Sequence, residues 1–222
     1  MKIENVKACV FDAYGTLFDV NSAAAKCKEK LGSKWEGFAN TWRTTQLEYT
    51  WLRSLMKKHK NFWQITEDSL DHTMETFKIK KTMRNELLDL YKKLNPYPEV
   101  KECLEGLKTR KIKIAILSNG TPDLLKGLVE NNNIQSYFDD ILSIESVGVY
   151  KPDSRVYEMP LKKYGCKAEN ICFMSSNTWD VSGGGVFGYN AVWVNRLNKV
   201  FDKLDYKPKF VISNLKELLN II

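Results

Sequence analysis

The first residues that could do chemistry lie in the segment Asp12-Ala13-Tyr14-Gly15-Thr16, directly after the mostly apolar run 6–11. A continuous apolar run that ends in turn residues is typical of a strand buried on both faces of a parallel sheet. Asp12 is therefore predicted at the carboxyl end of a buried strand, where open α/β sheets bind their ligands. A carboxylate held there beside the Thr16 hydroxyl and loop amides can act as a nucleophile. On this segment alone, the alternative that Asp12 only caps a turn stays open.

Polar side chains also follow three later apolar runs. They are Ser118-Asn119-Gly120, then Lys151, and finally Ser175-Ser176-Asn177 with Asp180. Because the carboxyl ends of parallel strands share one edge of the sheet, we expect all of these groups to converge on one crevice with Asp12. An Asp, a hydroxyl, a Lys and a second Asp, each just past a successive strand, form a far more specific pattern than any one of them alone.

The elements that would position these residues alternate between helix and strand from residue 98 onward. The predicted strands are 6–11, 112–118, 140–144, 171–175 and 191–195, and the predicted helices are 98–110, 122–132, 153–164, 179–187 and 214–220. Such alternation predicts an α/β fold with a doubly wound, mostly parallel, Rossmann-like core sheet.

Residues 20–95 interrupt this alternation with a purely helical pattern. We predict helices over 22–31, capped by Asn21, and over 33–58, 66–77 and 82–94. The sequence thus predicts a helical-bundle cap domain (20–95) inserted after the first strand of a core domain formed by 1–19 and 96–222. The segment Asn95-Pro96-Tyr97-Pro98 would be the return hinge.

Composition narrows the function classes. The 222 residues carry a net charge of +7, but the lysines lie in short scattered runs, which disfavours nucleic-acid binding. Five cysteines without a C-x-x-C spacing predict free thiols of a reducing compartment, and two histidines are too few for a histidine-based metal site. No signal peptide and no membrane-length apolar run is recognisable, so we expect a cytoplasmic protein without a membrane partner.

Five segments carry a resemblance that spans essentially the whole chain. They read FDAYGTLF (11–18), WRTTQLEYTWLRSLM (42–56), ILSNG (116–120), GVYKPDSRVY (148–157) and SSNTWD (175–180). Together they resemble the haloacid dehalogenase-like superfamily and, within it, the (S)-2-haloacid dehalogenase (type II) branch.

The resemblance implies a two-step displacement without metal or cofactor, in which a small 2-haloacid and water are the partners. Asp12 would attack the halogen-bearing carbon and form an aspartyl ester, and water would then release a 2-hydroxy acid of inverted configuration. Lys151 would compensate the charge of Asp12, and Thr16 would orient it. Asp180, oriented through Lys151, Ser175 and Asn177, would position or deprotonate the water.

The other roles implied by the resemblance concern binding. The substrate carboxylate would meet Ser118, the halide would meet Arg43, Asn119 and Trp179, the apolar wall would comprise Tyr14, Leu47, Phe62 and Trp179, and Tyr157 matches an active-site tyrosine. Phe62 could equally belong to the interior of the cap. Related enzymes are commonly dimeric, and the aromatic-rich cap helix makes a homodimer an expectation here.

Tyr14 separates this reading from its main alternative, a phosphatase of the same superfamily. Phosphatases carry a second Asp two positions after the nucleophile to protonate the leaving alkoxide, whereas a halide needs no proton. Asn177 also replaces an acid that phosphatases commonly place around Mg²⁺. Three features depart from the expected pattern. Thr44 stands where a longer polar side chain is expected, which bears on the preferred substrate size. For Pro160 within a helix and for Gly183-Gly184-Gly185, close packing at a site is the only explanation that the sequence offers.

Overall fold

The computed structural model describes residues 2–20 and 22–222, and a six-stranded parallel sheet forms its centre. The strands are β1 (Ala8–Phe11), β2 (Lys113–Ser118), β3 (Asp140–Ser143), β4 (Ile171–Ser175), β5 (Asn190–Val194) and β6 (Phe210–Ile212), in the spatial order β3-β2-β1-β4-β5-β6. Every pairing is parallel. The predicted doubly wound α/β fold is confirmed.

Strand β1 lies at the point where the strand order changes direction. Phe11 pairs with Ile116 of β2 on one side and with Met174 of β4 on the other, and all four residues of β1 are buried. Connections leave the sheet in opposite directions from this point, so a crevice opens beyond the carboxyl end of β1. Asp12 is the next residue.

Five α-helices between β1 and β2 form what we call the helical insert (22–91). They are α1 (Ser22–Lys26), α2 (Lys28–Leu31), α3 (Trp35–Leu55), α4 (Phe62–Phe77) and α5 (Arg84–Tyr91). Helices α3 and α4 pack along each other, and α1 packs against α3 and α5. Their apolar side chains join the same core as the sheet.

The helices that follow the insert are α6 (Val100–Thr109), α7 (Pro122–Asn131), α8 (Ser154–Tyr164), α9 (Thr178–Phe187) and α10 (Leu218–Ile221). Helix α6 packs on β2, α7 on β3, and α9 on β4 and β5. Side chains cap two of these helices, since Thr121 accepts a hydrogen bond from the Leu124 amide and Asp153 accepts one from the Arg155 amide. Each element predicted after residue 98 is present, and most of the bounds differ from the prediction by no more than two residues. The exception is the closing helix, predicted over 214–220, in which α10 begins only at Leu218.

Three predictions about the elements were wrong. Helix α4 begins at Phe62 and not at residue 66, because Asn61 caps it by accepting a hydrogen bond of 2.9 Å from the Gln64 amide. Helix 22–31 is divided at Cys27. Strand β6 was missed, since three residues are too few to show a periodicity. The predicted cap Asn21 lies outside the described residues.

The glycine run in α9 is explained by close packing. A Cβ on Gly183 would lie 2.6 Å from Tyr157 Oη, one on Gly184 would lie 2.8 Å from the Phe173 ring, and one on Gly185 would fall within the Tyr206 ring. Helix α8 continues through the buried Pro160.

Across residues 2–20 and 22–222, no helix has both the length and the apolar character needed to cross a lipid bilayer.

Candidate active site

Asp12 is fixed on both of its carboxylate oxygens. Its backbone amide extends the ladder to β4 by donating to Met174 O (2.9 Å). The Thr16 hydroxyl and the Asn177 side-chain amide both donate to Oδ2 at 2.9 Å, and the Lys151 ammonium donates to Oδ1 at 3.2 Å. The loop of Asp12 itself and two segments far away in sequence thus hold one buried carboxylate at the shared edge of the sheet.

Lys151 lies between two carboxylates. Its Nζ is also 2.9 Å from Asp180 Oδ2, and the side chain is fully buried. Burial by itself would lower the pKa of Lys151, but the charges of Asp12 and Asp180 outweigh it and the net pKa lies above the usual value. The ammonium is therefore charged and offsets part of the negative charge of the two carboxylates.

Asp180 is the second carboxylate of this set and is completely buried. Tyr157 donates to its Oδ1 at 2.7 Å. Burial raises the pKa of Asp180 above its usual value, and the opposing effects of Lys151 and of the Tyr157 hydrogen bond offset this only in part. Burial also raises the pKa of Tyr157, so its hydroxyl stays protonated and donates. A buried carboxylate with a raised pKa is suited to accept a proton from water.

Ser175 and Asn177 contact different partners from those predicted. The Ser175 hydroxyl accepts a hydrogen bond from the backbone N–H of Asn177 (3.1 Å). The side-chain NH₂ group of Asn177 donates to Asp12 and to Tyr14 O (3.2 Å). Asn177 therefore orients the first carboxylate, while the side chains that contact the carboxylate of Asp180 are Lys151 and Tyr157.

Ser118 and Asn119, at the end of β2, shape the loops beside Lys151. Asn119 Oδ1 accepts a hydrogen bond of 3.1 Å from the Lys151 backbone amide, and the buried Ser118 hydroxyl accepts one of 3.1 Å from Gly120 N. Both residues lie at the predicted edge of the sheet, where their polar atoms accept hydrogen bonds from backbone amides.

The helical insert brings Arg43 to the same place. Its Nη2 donates to Tyr14 O (3.4 Å) and to Asn177 Oδ1 (3.5 Å), and its Nη1 donates to Gln46 Oε1 (2.9 Å). A guanidinium thus lies beside Tyr14 O and beside Asn177, whose side chain also contacts Asp12.

Aromatic rings form one wall of the crevice. The Tyr14 ring lies 5.1 Å from the Phe62 ring and stacks at 5.7 Å on the Tyr91 ring. Trp179 meets Trp51 of α3 edge to face at 5.4 Å. Leu47, also predicted as part of the wall, is partly buried on α3. Burial raises the pKa of Tyr14, so the ring is a neutral part of the wall.

A cleft of about 620 Å³ lies beside Arg43 and Trp179. Its lining includes Arg43, Thr44, Asn177 and Trp179. Thr44 is exposed, so its short side chain borders the cleft without filling it.

Several residues at the site escaped the sequence analysis. Gln46 is buried beside Arg43, and Arg196 donates to Thr16 O (2.8 Å) while pairing with Glu99. For Gln46 a sequence signal existed, because it is a polar residue on the apolar face of α3 that also carries Trp42. Arg196 follows the short strand β5, and its sequence context offered no such signal.

A family model described as haloacid dehalogenase-like hydrolase matches residues 6–188. An (S)-2-haloacid dehalogenase of Pseudomonas fluorescens is 42% identical over 220 residues, which cover 98% of this chain and 97% of that protein.

Two solved structures share the fold closely. A dehalogenase superposes with a TM-score of 0.97 at 36% identity and covers 99% of this chain and 98% of its own. The L-2-haloacid dehalogenase of Xanthobacter autotrophicus with chloropropionic acid covalently bound superposes with a TM-score of 0.90 at 32% identity and covers 97% of each chain.

Proposed function

Since the chain belongs to the haloacid dehalogenase-like hydrolases, we propose that it is an (S)-2-haloacid dehalogenase that hydrolyses short-chain (S)-2-haloacids to (R)-2-hydroxy acids. The relatives of that name cover nearly its full length, and the observation that carries the proposal is the geometry of Asp12. Its carboxylate is buried, neutralised by Lys151 and held on both oxygens, as an oxygen nucleophile requires.

In the first step an Asp12 oxygen attacks the halogen-bearing carbon from the side opposite the halide. A carbon–oxygen bond forms, the carbon–halogen bond breaks, and the halide leaves with the bonding pair. Arg43, together with Asn119 and Trp179, stabilises the charge that develops on the halide, and Ser118 with nearby amides holds the substrate carboxylate. Tyr14, Leu47 and Phe62 limit water at the reacting carbon.

In the second step water attacks the carbonyl carbon of the ester on Asp12. Asp180 accepts a proton from the water, and the bond between the acyl carbon and the substrate oxygen breaks. The hydroxy acid leaves with one water proton, the other passes to solvent, and Asp12 regains its carboxylate. Because the configuration inverts once, at the first step, an (S)-substrate yields an (R)-product.

The absence of an acid at position 14 distinguishes this chemistry from phosphoryl transfer. Tyr14 holds an un-ionised phenol inside an aromatic cluster, and the Asn177 amide hydrogen that faces Asp12 is a donor and no ligand for a cation. A leaving alkoxide would need the missing acid, whereas a leaving halide does not.

The test is a single turnover in ¹⁸O-water with excess enzyme and (S)-2-chloropropionate. We expect the label to enter the Asp12 carboxylate, as read by mass spectrometry of its peptide, and Asp12→Asn to lower halide release by at least about ten-thousandfold. Asp89→Asn, a matched change at an exposed side chain, should leave halide release unchanged. Label found only in the hydroxy acid, or faster Mg²⁺-dependent hydrolysis of p-nitrophenyl phosphate, would contradict the proposal.

We further propose that 20–95 is a cap domain on a core domain of 1–19 and 96–222, and that two copies pair. Leu52, Leu55 and Met56 at the end of α3 are 50%, 80% and 60% exposed, which supports an interface on this helix. Light scattering coupled to size exclusion tests the dimer.

All five cysteines are free, which supports a cytoplasmic protein.

A further inference from the structure

Gln46 is a buried amide at the junction of three helices of the insert. It lies on α3, and its Nε2 donates to Thr66 Oγ1 of α4 (2.7 Å) and to the Tyr91 hydroxyl of α5 (3.0 Å). Its Oε1 accepts from Arg43 Nη1 (2.9 Å). Only 1% of the residue is exposed.

The hydrogen bonds determine which way this amide faces. The Thr66 hydroxyl spends its single hydrogen on Phe62 O (2.8 Å), so it can only accept from Gln46. The NH₂ group of Gln46 must therefore point toward Thr66 and Tyr91, and the oxygen must point toward Arg43. The direction of the acceptor offered to Arg43 is thus fixed by two other helices.

Arg43 depends on this acceptor for its orientation. The Gln46 bond, at 2.9 Å, is the shortest that Arg43 makes within the described residues, and its bonds to Tyr14 O and Asn177 are 3.4 and 3.5 Å. Because a guanidinium is a rigid plane, fixing Nη1 also fixes the direction of Nη2, which faces the crevice. Tyr91, the other partner of Gln46, stacks on Tyr14.

We propose that Gln46 is a positioning residue that holds Arg43 at the departing halide and, through Tyr91, aligns the wall formed by Tyr14. The inference rests on the proposed function, in which Arg43 stabilises the leaving group. A buried amide on the apolar face of α3 costs desolvation, and a methionine of similar volume would fill the space without it. The orientation of Arg43 is what the amide adds.

The experiment compares Gln46→Met and Gln46→Glu with Gln64→Met, a matched control at an insert glutamine whose side chain bonds to Asp68. The rate of the displacement step is measured in single turnovers with 2-chloro- and 2-bromopropionate. Chloride is the poorer leaving group and depends more on Arg43. We expect Gln46→Met to lower the chloride rate about tenfold and the bromide rate less, so that their ratio shifts.

Gln46→Glu keeps an acceptor for Arg43 but adds a negative charge beside it. We expect the Arg43 guanidinium to stay at Tyr14 O and Asn177 in its crystal structure, and the chloride-to-bromide ratio to stay nearer the wild-type value than in Gln46→Met. This variant carries the test if Gln46→Met does not fold, since a displaced Arg43 with an unchanged ratio, or an unmoved Arg43 with a strongly shifted ratio, would contradict the inference. Gln64→Met should leave both rates and their ratio unchanged.

Crystal structures of Gln46→Met give a readout that does not require turnover. We expect the Arg43 guanidinium to leave Tyr14 O and Asn177. An unmoved Arg43 together with an unchanged chloride-to-bromide ratio would overturn the inference. If the wild type released no halide from any 2-haloacid, the proposed function would fail, while the position of Arg43 in the variant would still decide the role of Gln46.

Discussion

The sheet edge and the helical insert hold the crevice in different ways. At the sheet edge, Asp12, Lys151 and Asp180 are buried charges, and Lys151 contacts the two carboxylates at 3.2 and 2.9 Å. Asp12 directly follows β1, Lys151 lies in the loop after β3, and Asp180 lies at the start of α9, just after β4. The insert contributes a partly buried Arg43 whose contacts with the sheet edge are 3.4 and 3.5 Å, supported by a neutral amide. The side chains at the sheet edge are thus joined by shorter contacts than those that Arg43 makes with them.

The insert meets the rest of the chain through polar contacts of its own. Glu145, just after β3, accepts from the Phe62 amide at the start of α4 (3.1 Å) and pairs with His59 (2.9 Å). The Tyr150 hydroxyl donates to Lys60 O (2.6 Å). These contacts involve loops and one helix end, and no strand of the sheet continues into the insert. We therefore expect substitutions of the buried charges at the sheet edge to change chemistry and folding together, and substitution of the partly buried Arg43 to change chemistry with little effect on folding.

Removing Lys151 is expected to have the largest effect. Lys151→Met leaves two carboxylates buried without their cation, which costs about 3–5 kcal/mol of unfolding free energy. Halide release should fall about a thousandfold as well. Urea unfolding and initial rates measure the two effects. The double variant Lys151→Met with Asp180→Asn should regain part of the stability, and a double variant no more stable than the single one would show that charge imbalance is not the cause.

Arg43→Ala tests the other side of the comparison. We expect halide release to fall about a hundredfold, since a group at the leaving halide is lost. Because Arg43 is partly exposed, the unfolding free energy should change by no more than about 1 kcal/mol. Arg53→Ala removes an arginine from the same helix that pairs with Asp68, and it should leave the rate unchanged. A large loss of stability in Arg43→Ala would contradict the division between the two regions.

Tyr157→Phe should move the pH dependence of the sheet edge. The Tyr157 hydrogen bond lowers the pKa of Asp180, so its removal raises that pKa further. Because Asp180 must be ionised to act as a base, and acts only in the ester hydrolysis that follows halide release, the acid limb of kcat should shift to higher pH, with a loss of about tenfold near neutrality. In acid the same rise in pKa lowers the activity but stabilises the folded protein. This contribution to stability is lost as the pH rises through the pKa of Asp180 in the folded protein. An acid limb that stays in place would exclude Tyr157 as the partner that matters.

The smallest effect on the rate of halide release is expected from a pair of glycine substitutions. The Cβ of Gly183→Ala would lie 2.6 Å from Tyr157 Oη, so the tyrosine must shift, at a cost of about 1–3 kcal/mol and a few-fold loss of rate. Gly127→Ala in α7 meets nothing within 4 Å and should gain about 0.5–1 kcal/mol. Thermal unfolding and initial rates of both variants provide the comparison, and equal effects would show that the packing at Gly183 is not critical.

Prediction from the sequence was best where a short segment carries its own pattern. The apolar run before Asp12 and the polar residues after three later strands predicted both the sheet and the edge at which Lys151 and Asp180 meet. It was poorest where a side chain chose among several partners. The start of α4 depended on the cap at Asn61, and the partner of Asn177 turned out to be the carboxylate of Asp12.

The sequence by itself determined the alternation of helix and strand apart from β6, the parallel arrangement of the sheet and the positions of Asp12, Lys151 and Asp180 at its edge, because hydrophobic periodicity and turn residues act over a few positions. Only the tertiary structure decided which oxygen each donor meets, how Arg43 connects the insert to the site and how Glu145 connects the insert to the rest of the chain. Asn177 and Asp12 are 165 positions apart, and Arg43 and Asn177 are 134 apart. Contacts at such separations arise from the packing of whole elements, which no local pattern encodes.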